Sequence, residues 1–452
     1  ITSSGGNVSV TGQGGGTGAA SQNYGVAIHL GGLVSAGGFG PVTVNGTGGN
    51  AGGNLNHGVQ VWGLSPAGDP ATITSAGGAI TVTGQGGGSG DSSWNVGVWV
   101  AGGGTIVGPA SNTLLVSGTG GAAAGTHQDG VLINAINEGR RSTITSLGGD
   151  VTVQGWAGGT GEGGFNKGVA VWNGGLLTAG GLGDVTVIGN GGDSDGPFNV
   201  GVSISSGDGG VSSKAVAEIT SSGGNVLIRG TGNGSSVSEN NRGVEVLYGG
   251  VITAGNSGAV TIEGTGGNSG IGYEHGVLVS GMSDAGDPAT ITSSGGNVSV
   301  TGQGGGTGAA SQNYGVAIHL GGLVSAGGFG PVTVNGTGGN AGGNLNHGVQ
   351  VWGLSPAGDP ATITSAGGAI TVTGQGGGSG DSSWNVGVWV AGGGTIVGPA
   401  SNTLLVSGTG GAAAGNYQDG VLINEINEGR RSTVTSLGGD VRIEGTGGGT
   451  GA

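Results

Sequence analysis

The stretch Gly25-Val26-Ala27-Ile28 recurs along the chain and decides its fold. A Gly-Val pair, one variable residue and then Val or Ile occur together twelve times, starting at Gly25, Gly58, Gly97, Gly130, Gly168, Gly201, Gly243, Gly276, Gly315, Gly348, Gly387 and Gly420. The intervals alternate between 33 residues and 38 to 42 residues. A residue pair at a nearly fixed interval is typical of a repeat architecture.

Each repeat contains three short pieces that have the pattern of a β-strand. The first is the Gly-Val stretch, the second resembles Thr72-Ile73-Thr74-Ser75, and the third resembles Val42-Thr43-Val44-Asn45-Gly46. All three alternate an apolar residue with another residue, which is typical of a strand with one buried face. They are too short for a helix, and a glycine ends each third piece.

Three short strands cannot bury their apolar faces alone, but stacked repeats can pair strand on strand and share a narrow core. The sequence therefore predicts an all-β fold, a parallel β-solenoid of the right-handed β-helix type, with three strands and about 36 residues per coil. In the first strand the variable residue is expected to face outward, between two inward ones. The predicted core includes Val26, Ile28, Val42, Val44, Val59, Val61, Val98, Val100, Val169 and Val171.

A long internal duplication sets the predicted organisation of the chain. Residues 1–125 are identical to residues 291–415, an offset of 290 residues. We expect residues 1–24 to end a coil that continues from an upstream repeat. Residues 25–314 form one complete module of eight coils, and residues 315–452 begin the next. The expected arrangement is one continuous rod without separate globular domains.

Composition excludes several classes of protein. The 452 residues include 125 glycines, no cysteine and only 7 % charged residues, and the formal net charge is −15. This charge opposes binding to nucleic acid or to an anionic membrane. No stretch approaches the roughly 18 consecutive apolar residues of a membrane span. The lack of cysteine is consistent with an exported protein that avoids misplaced disulfides.

A second repeated position lies two residues before each Gly-Val pair. Asn occupies nine of the twelve positions, and Gln128, Glu274 and Gln418 occupy the others. Stacked Asn side chains can hydrogen-bond from coil to coil in a polar ladder, and we expect this of Asn23, Asn56, Asn95, Asn166, Asn199 and Asn241. The alternative is that Asn only suits a left-handed turn at this point.

Residues that could carry chemistry are few. The six histidines show no metal-ligand spacing, and His57 and His275 are expected at the surface. Glycine-rich runs that end in Asp184 and in Asp193 and Asp195 approach a calcium-binding repeat, so loosely bound calcium is the one cofactor considered. The acidic residues Glu218, Glu245, Glu263 and Glu274 are scattered among the repeats and provide no pair for glycoside cleavage. No enzymatic activity is expected.

Tryptophan and threonine offer two kinds of binding surface. Trp99 occupies the variable position of a first strand, and Trp62 and Trp172 follow such strands. Exposed aromatic rings could stack on sugars or on a neighbouring rod, or they could cover loops of their own coil. A flat Thr-x-Thr array would suit ice binding. Thr72 and Thr74 fit such an array, whereas the run Val34-Ser35-Ala36 interrupts it.

The units Ile219-Thr220-Ser221-Ser222-Gly223-Gly224-Asn225-Val226 and Val260-Thr261-Ile262-Glu263-Gly264-Thr265-Gly266-Gly267-Asn268 resemble those of filamentous-haemagglutinin-like and β-strand-repeat proteins. These are large repetitive surface proteins of bacteria, built as right-handed parallel β-helices. The resemblance implies secretion and a structural role as an extracellular filament, fibre or stalk, at the cell surface or in biofilm matrix. The expected partners are further copies of the chain, with extracellular polysaccharide or host glycans if it serves as an adhesin. A polysaccharide-cleaving β-helix enzyme is a distant alternative.

Overall fold

The computed structural model describes residues 1–136, 140–207, 215–281, 288–426 and 429–450, and every regular element in these ranges is a β-strand. The chain divides into two compact units. Unit 1 comprises residues 1–206 and 213–227, and unit 2 comprises residues 207–212 and 228–452.

The strands follow one another in a constant order of three per repeat. Those of unit 1 are β1 (Thr2–Ser3), β2 (Val8–Gln13), β3 (Val26–His29), β4 (Leu33–Ala36), β5 (Val42–Thr47), β6 (Val59–Trp62), β7 (Thr72–Ser75), β8 (Ile80–Gln85), β9 (Val98–Ala101), β10 (Thr105–Gly108), β11 (Leu114–Thr119), β12 (Val131–Asn134), β13 (Thr143–Ser146), β14 (Val151–Trp156), β15 (Val169–Trp172), β16 (Leu176–Ala179), β17 (Val185–Asn190), β18 (Val202–Ser205) and β19 (Glu218–Ser221). Strand β20 (Val226–Thr231) spans the division between the units. Those of unit 2 are β21 (Val244–Leu247), β22 (Val251–Ala254), β23 (Val260–Thr265), β24 (Val277–Ser280), β25 (Thr290–Ser293), β26 (Val298–Gln303), β27 (Val316–His319), β28 (Leu323–Ala326), β29 (Val332–Thr337), β30 (Val349–Trp352), β31 (Thr362–Ser365), β32 (Ile370–Gln375), β33 (Val388–Ala391), β34 (Thr395–Gly398), β35 (Leu404–Thr409), β36 (Val421–Ile423), β37 (Thr433–Ser436) and β38 (Val441–Thr446).

Unit 1 contains three parallel sheets. The Gly-Val sheet has the order β3-β6-β9-β12-β15-β18, the threonine sheet β1-β4-β7-β10-β13-β16-β19, and the long-strand sheet β2-β5-β8-β11-β14-β17. Equivalent residues of successive repeats pair with each other, as Val26 does with Val59 and Val59 with Val98. Each repeat therefore forms one coil that contributes one strand to every sheet.

Unit 2 has the same three sheets. Its Gly-Val sheet runs β21-β24-β27-β30-β33-β36, its threonine sheet β22-β25-β28-β31-β34-β37, and its long-strand sheet β23-β26-β29-β32-β35-β38. The duplicated sequence gives the same strand bounds, since β3 and β27 both start one residue after the glycine of the pair. The two units together contain about twelve turns of about 37 residues, and the predicted all-β, right-handed-type parallel solenoid with three strands per coil is confirmed.

The interior of each coil is a narrow apolar core. The ten predicted core residues all lie there, with Val26 and Ile28 at 8 % and 6 % exposure and the other eight fully buried. The long strands alternate buried and more exposed residues, as in Val42–Thr47. Val, Ile and Leu make up most of the core, as expected of a close-packed interior formed by three short strands per coil.

Two glycines of each coil are required by close backbone approach. A Cβ atom at Gly46, in the third strand, would overlap the carbonyl oxygen of Gly58. A Cβ atom at Gly58 would in turn overlap the backbone nitrogen of Gln85. The glycine of the Gly-Val pair and the glycine of the third strand therefore make one tight corner of the coil.

Candidate functional site

The candidate functional site comprises the outward face of the Gly-Val sheet and the turn that leads into each of its strands, which together hold most of the histidines, aromatic rings and buried polar groups. We name three of its columns by their position before the glycine of each pair. The preglycine column is one residue before it, the amide column two residues before it, and the left-handed column three residues before it.

The amide column of unit 1 forms a hydrogen-bonded ladder. The Nδ2 of Asn23 donates to Oδ1 of Asn56 at 2.7 Å, and Nδ2 of Asn56 donates to Oδ1 of Asn95 at 3.1 Å. Asn95 donates to Oε1 of Gln128 at 3.0 Å, and Asn166 donates to Oδ1 of Asn199 at 3.1 Å. Backbone N–H groups strengthen the ladder, since that of Asn56 also donates to Asn95 Oδ1, at 3.0 Å.

The amide column of unit 2 continues in the same way except at one carboxyl. The Nδ2 of Asn241 donates to Oε1 of Glu274 at 3.2 Å, and the Glu274 backbone N–H donates to Oδ1 of Asn313 at 3.1 Å. Asn313 donates to Asn346 at 2.9 Å and Asn346 to Asn385 at 3.2 Å. These side chains are fully buried. The arrangement satisfies the amide groups of Asn241, Asn313 and Asn346, which would otherwise be costly to bury.

The left-handed backbone belongs to the residue before the amide column. All twelve residues of the left-handed column have φ between 57° and 64°, and they are Gln22, Leu55, Trp94, His127, Phe165, Phe198, Asn240, Tyr273, Gln312, Leu345, Trp384 and Tyr417. Asparagine is therefore not selected in the amide column to accommodate a left-handed turn. The sequence gives little sign of the left-handed column, because bulky residues rarely adopt positive φ.

Aromatic rings of the left-handed column stack on each other. The ring centroids of Trp94 and His127 lie 3.9 Å apart, those of His127 and Phe165 5.6 Å, and those of Phe165 and Phe198 4.9 Å. In unit 2 the rings of Trp384 and Tyr417 stack at 4.0 Å. Stacked rings cover part of one another's faces, and Phe165 and Tyr417 remain 39 % and 55 % exposed.

The variable residue of the first strand lies on the outward face as expected, but in most coils its neighbours shield it from solvent. Trp99 is 7 % exposed, Glu245 3 % and Gln60 2 %. Trp99 packs with Val96, Leu132 and other apolar residues, and its Nε1 donates to Asn134 Oδ1 at 2.9 Å. The side chains of the outward face cover one another, so this sheet has an apolar layer on both sides.

Trp62 and Trp172 are partly buried rather than free. Trp172 Nε1 donates to Ser203 Oγ at 3.2 Å, and Lys167 Nζ lies 3.9 Å from the centre of the Trp172 ring. Trp62 lies against Gly102, where a Cβ atom would meet its indole nitrogen. The three tryptophans singled out by sequence therefore mainly pack against residues of neighbouring coils.

The histidines of the preglycine column are buried, contrary to the expectation of surface positions. His57 is fully buried and His275 is 3 % exposed. His57 Nδ1 accepts the backbone N–H of Val96 at 3.2 Å, and its ring stacks on Tyr24 at a centroid distance of 5.4 Å. Burial, with a smaller contribution from His29, lowers the pKa of His57 from 6.5 to about 3. Neutral imidazole is thus the stable form in the fold.

Two buried carboxyl groups also lie on this face. Asp129 Oδ1 accepts the backbone N–H of Lys167 at 2.7 Å, and burial raises its pKa to about 7 although Lys167 opposes the shift. Burial likewise raises the pKa of Glu274 from 4.5 to about 7. Both groups have one buried oxygen without a hydrogen-bond donor. Burial therefore shifts both groups towards the protonated acid relative to an exposed carboxyl group.

The acids considered for catalysis or calcium binding are separated from each other. Glu218, Glu245 and Glu263 each pair with an arginine, at 3.0, 2.8 and 2.7 Å. Asp184 accepts the backbone N–H of Asn225 at 2.6 Å, and Asp193 and Asp195 are exposed. Within the described residues no group of three or more His, Asp or Glu side chains could hold a metal ion.

The chain was compared with protein families, curated proteins and solved structures. No protein family, curated protein or solved structure matches the chain. In the described ranges no helix is long and apolar enough to cross a membrane.

Proposed function

We propose that the chain is a structural segment of a long secreted β-solenoid that forms an extracellular filament, fibre or stalk, at a bacterial surface or in biofilm matrix. The role is mechanical and not catalytic. The observation that carries the proposal is the repetition itself: residues 1–125 and 291–415 are identical and have the same strands at an offset of 290 residues. Such duplication adds coils without adding a different site.

The hydrogen-bonded amide column also supports a mechanical role. Its bonds run from coil to coil, parallel to the ladder bonds of the sheets, as between Asn56 and Asn95. Buried from water, these bonds resist the separation of neighbouring coils. The resemblance to filamentous-haemagglutinin-like proteins favours the same role and an extracellular location.

Small-angle scattering on chains with added modules tests the proposal. One or two further copies of residues 25–314 are inserted after residue 314, so that each junction repeats a natural one. Eight coils at about 4.8 Å per coil add roughly 38 Å to the maximum dimension for every module. A compact assembly would instead grow roughly as the cube root of its mass. Electron micrographs of the native material should show thin fibres, and compact particles would contradict the proposal.

A second candidate is an adhesin that binds extracellular polysaccharide or host glycans. It is favoured by the partial exposure of Trp62 and Trp172 and by Phe165, which is 39 % exposed. Glycan-array binding that is reduced in Phe165→Leu and unchanged in Leu147→Ala would support it. Leu147 is a suitable control because it is exposed, apolar and lies on a turn after the threonine sheet. An array without any binding would remove this candidate.

A further inference from the structure

The outward face of the threonine sheet is a regular array of hydroxyl groups. In its strands the second and fourth residues are buried and the first and third lie on the outer side, as in Thr72–Ser75. The outward residues of the four-residue strands of unit 1 are Leu33, Ser35, Thr72, Thr74, Thr105, Val107, Thr143, Thr145, Leu176, Thr178, Glu218 and Thr220. Those of unit 2 are Val251, Thr253, Thr290, Thr292, Leu323, Ser325, Thr362, Thr364, Thr395, Val397, Thr433 and Thr435.

On the face itself, the interruption that the sequence indicates at Val34-Ser35-Ala36 is reduced to one residue without a hydroxyl group, Leu33. Val34 and Ala36 are 3 % and 0 % exposed, because they point into the core. Only Leu33 and Ser35 of that strand lie on the outer side. Of the 24 outward positions, 15 are Thr and two are Ser, so about seven in ten carry a hydroxyl group.

The face is almost free of charge although the chain is strongly acidic. The formal net charge of the chain is −15, yet Glu218 is the one ionisable residue among the 24 outward positions. Arg141 pairs with Glu218 at 3.0 Å. A neutral surface on an acidic protein suits a neutral ligand, and it does not attract nucleic acid, cations or a basic protein.

Spacing and stiffness make the array lattice-like. Outward residues lie roughly 6.6 Å apart along a strand and roughly 4.8 Å apart between coils of one unit. Threonine is β-branched and has restricted χ1 rotamers. Hydrogen bonds fix some hydroxyls further: Thr74 Oγ1 donates to Val107 O at 3.2 Å, and Thr364 Oγ1 donates to Val397 O at 3.2 Å. A hydroxyl that donates in this way still accepts hydrogen bonds from water.

We propose that the outward face of the threonine sheet binds ice. An open sheet face of short side chains cannot enclose a small molecule, so its ligand should itself be an extended surface that is neutral and periodic in two directions. An ice surface has these properties. Threonine offers it a hydroxyl group that can bond to lattice water and a methyl group that orders the water beside it. This activity does not depend on the proposed role in a filament.

Partition into slowly growing ice tests the proposal on the whole chain. The wild type is expected to enter the ice, whereas a non-binding protein of similar mass and charge stays in the liquid. The face variant carries Thr74→Lys, Thr145→Lys, Thr292→Lys and Thr364→Lys, two substitutions in each unit. Its long, hydrated side chains hold the face away from the lattice, and we expect its inclusion in ice to be lost.

The long-strand sheet supplies a matched control. Thr43→Lys, Thr81→Lys, Thr333→Lys and Thr371→Lys add the same charge at outward, half-buried positions of that sheet. This variant should partition like the wild type, and circular dichroism checks that all chains are folded. If the lysine face variant does not fold, the corresponding Thr→Ala set replaces it.

Three outcomes would overturn the proposal. The wild type could be excluded from ice like the reference protein, or both lysine variants could lose inclusion equally. The third is selective adsorption to an insoluble crystalline polysaccharide, abolished in the face variant, with exclusion from ice. That result would assign the same face to a different ligand.

Discussion

Gln128 in unit 1 and Glu274 in unit 2 occupy the same position of the amide column and differ by one atom, an amide nitrogen against a carboxyl oxygen. Gln128 Nε2 donates to the backbone carbonyl oxygens of Ser92 at 2.6 Å and Gly125 at 3.3 Å. Gln418 repeats this pattern with Ser382 at 2.7 Å and Gly415 at 3.2 Å. A carboxylate cannot donate, and Glu274 Oε2 is buried without a hydrogen-bond donor.

The difference shows that the ladder tolerates a longer side chain more readily than a charge. Glu274 Oε1 is well placed, since it accepts from Ser269 Oγ at 2.6 Å and from Asn241 Nδ2 at 3.2 Å. The burial that makes the amide ladder strong therefore raises the pKa of this one acid to about 7. The stability of unit 2 should therefore depend on the ionisation of Glu274, whereas unit 1 has a neutral amide, that of Gln128, at the corresponding position.

The largest effect is expected from removing the donor beside each of these residues. Asn95→Leu removes the acceptor of the Asn56 backbone N–H and the donor to Gln128 Oε1, and should cost about 3 kcal/mol of unfolding free energy. Asn241→Leu removes a donor from a carboxyl and should cost about 4 kcal/mol at pH 8, because a buried charge needs its donors more. Chemical denaturation, with hydrogen exchange to locate the loss, measures both. At pH 5 the two variants should become equal, and equal losses at pH 8 would contradict the comparison.

The second effect comes from exchanging the two side chains. The folded-state pKa of Glu274, about 7, lies above its unfolded value of 4.5. Between these values the folded chain retains a proton that the unfolded chain releases, so stability falls as pH rises from about 4.5 to 7 and then stays level. The full difference is about 3 kcal/mol. Glu274→Gln should therefore stabilise unit 2 by about 2–3 kcal/mol at pH 8.

The reverse change provides the control for this exchange. Gln128→Glu should destabilise unit 1 by a similar amount at pH 8, and both effects should shrink towards zero near pH 4.5. Unfolding free energies at a series of pH values give the two profiles. A Glu274→Gln stabilisation that is the same at pH 4.5 and pH 8 would show that ionisation is not its cause.

Sequence periodicity predicted the coil well, because its signal depends on repeated local chemistry. The spacing of the Gly-Val pairs and the alternation in stretches such as Val42-Thr43-Val44 determine which strands stack and which residues point inward. Asn56 and Asn95 were recognisable as a ladder, since the same amide recurs where neighbouring coils must meet.

The outward face of the Gly-Val sheet was not predictable in the same way. Trp99 and His57 are polar or amphipathic residues at variable positions, which usually indicates exposure. Their burial depends on side chains from neighbouring coils, and on the left-handed column that turns residues such as Trp94 over the sheet. The pattern of a single sequence contains no direct signal for these contacts, because the contacting side chains differ from one coil to the next.

The third prediction concerns the acid side of the profile. Burial, with a smaller contribution from His319, lowers the pKa of His347 from 6.5 to about 3, so the unfolded chain binds a proton at a pH where the folded chain does not. Stability is present above pH 6.5 and is lost as pH falls towards 3, by about 2 kcal/mol at pH 5. His347→Val should remove this loss. Valine occupies the same column at Val96, Val200 and Val386.

The test compares unfolding free energies of the variant and the wild type at pH 7.5 and pH 5. His347→Val also removes the acceptor for the Val386 N–H, at 3.1 Å, and should lower stability equally at both pH values. The change in unfolding free energy between the two pH values is therefore compared between the variant and the wild type. The contribution of Glu274 is the same in both proteins and cancels. His57→Val should give the same result in unit 1. If a variant loses as much stability between pH 7.5 and pH 5 as the wild type does, burial of neutral imidazole is not the cause of that loss.

The smallest effect is expected in the left-handed column. Trp94→Leu removes the ring that stacks on His127 at 3.9 Å and should cost about 1 kcal/mol. Leucine is a suitable replacement because Leu55 and Leu345 adopt φ of 64° and 62° in the same column, so the backbone need not change. Thermal unfolding, monitored by fluorescence, and hydrogen exchange measure the loss of stability.

Trp384→Leu is the matched change in unit 2, where the ring stacks on Tyr417 at 4.0 Å. Tyr417 is 55 % exposed, whereas His127 is also stacked on Phe165, so the loss should be smaller than for Trp94→Leu. If both variants lose 3 kcal/mol or more, the left-handed column contributes to the core rather than covering it. The amide column would then no longer be the main polar determinant of stability on this face, because the aromatic layer outside it would be as important.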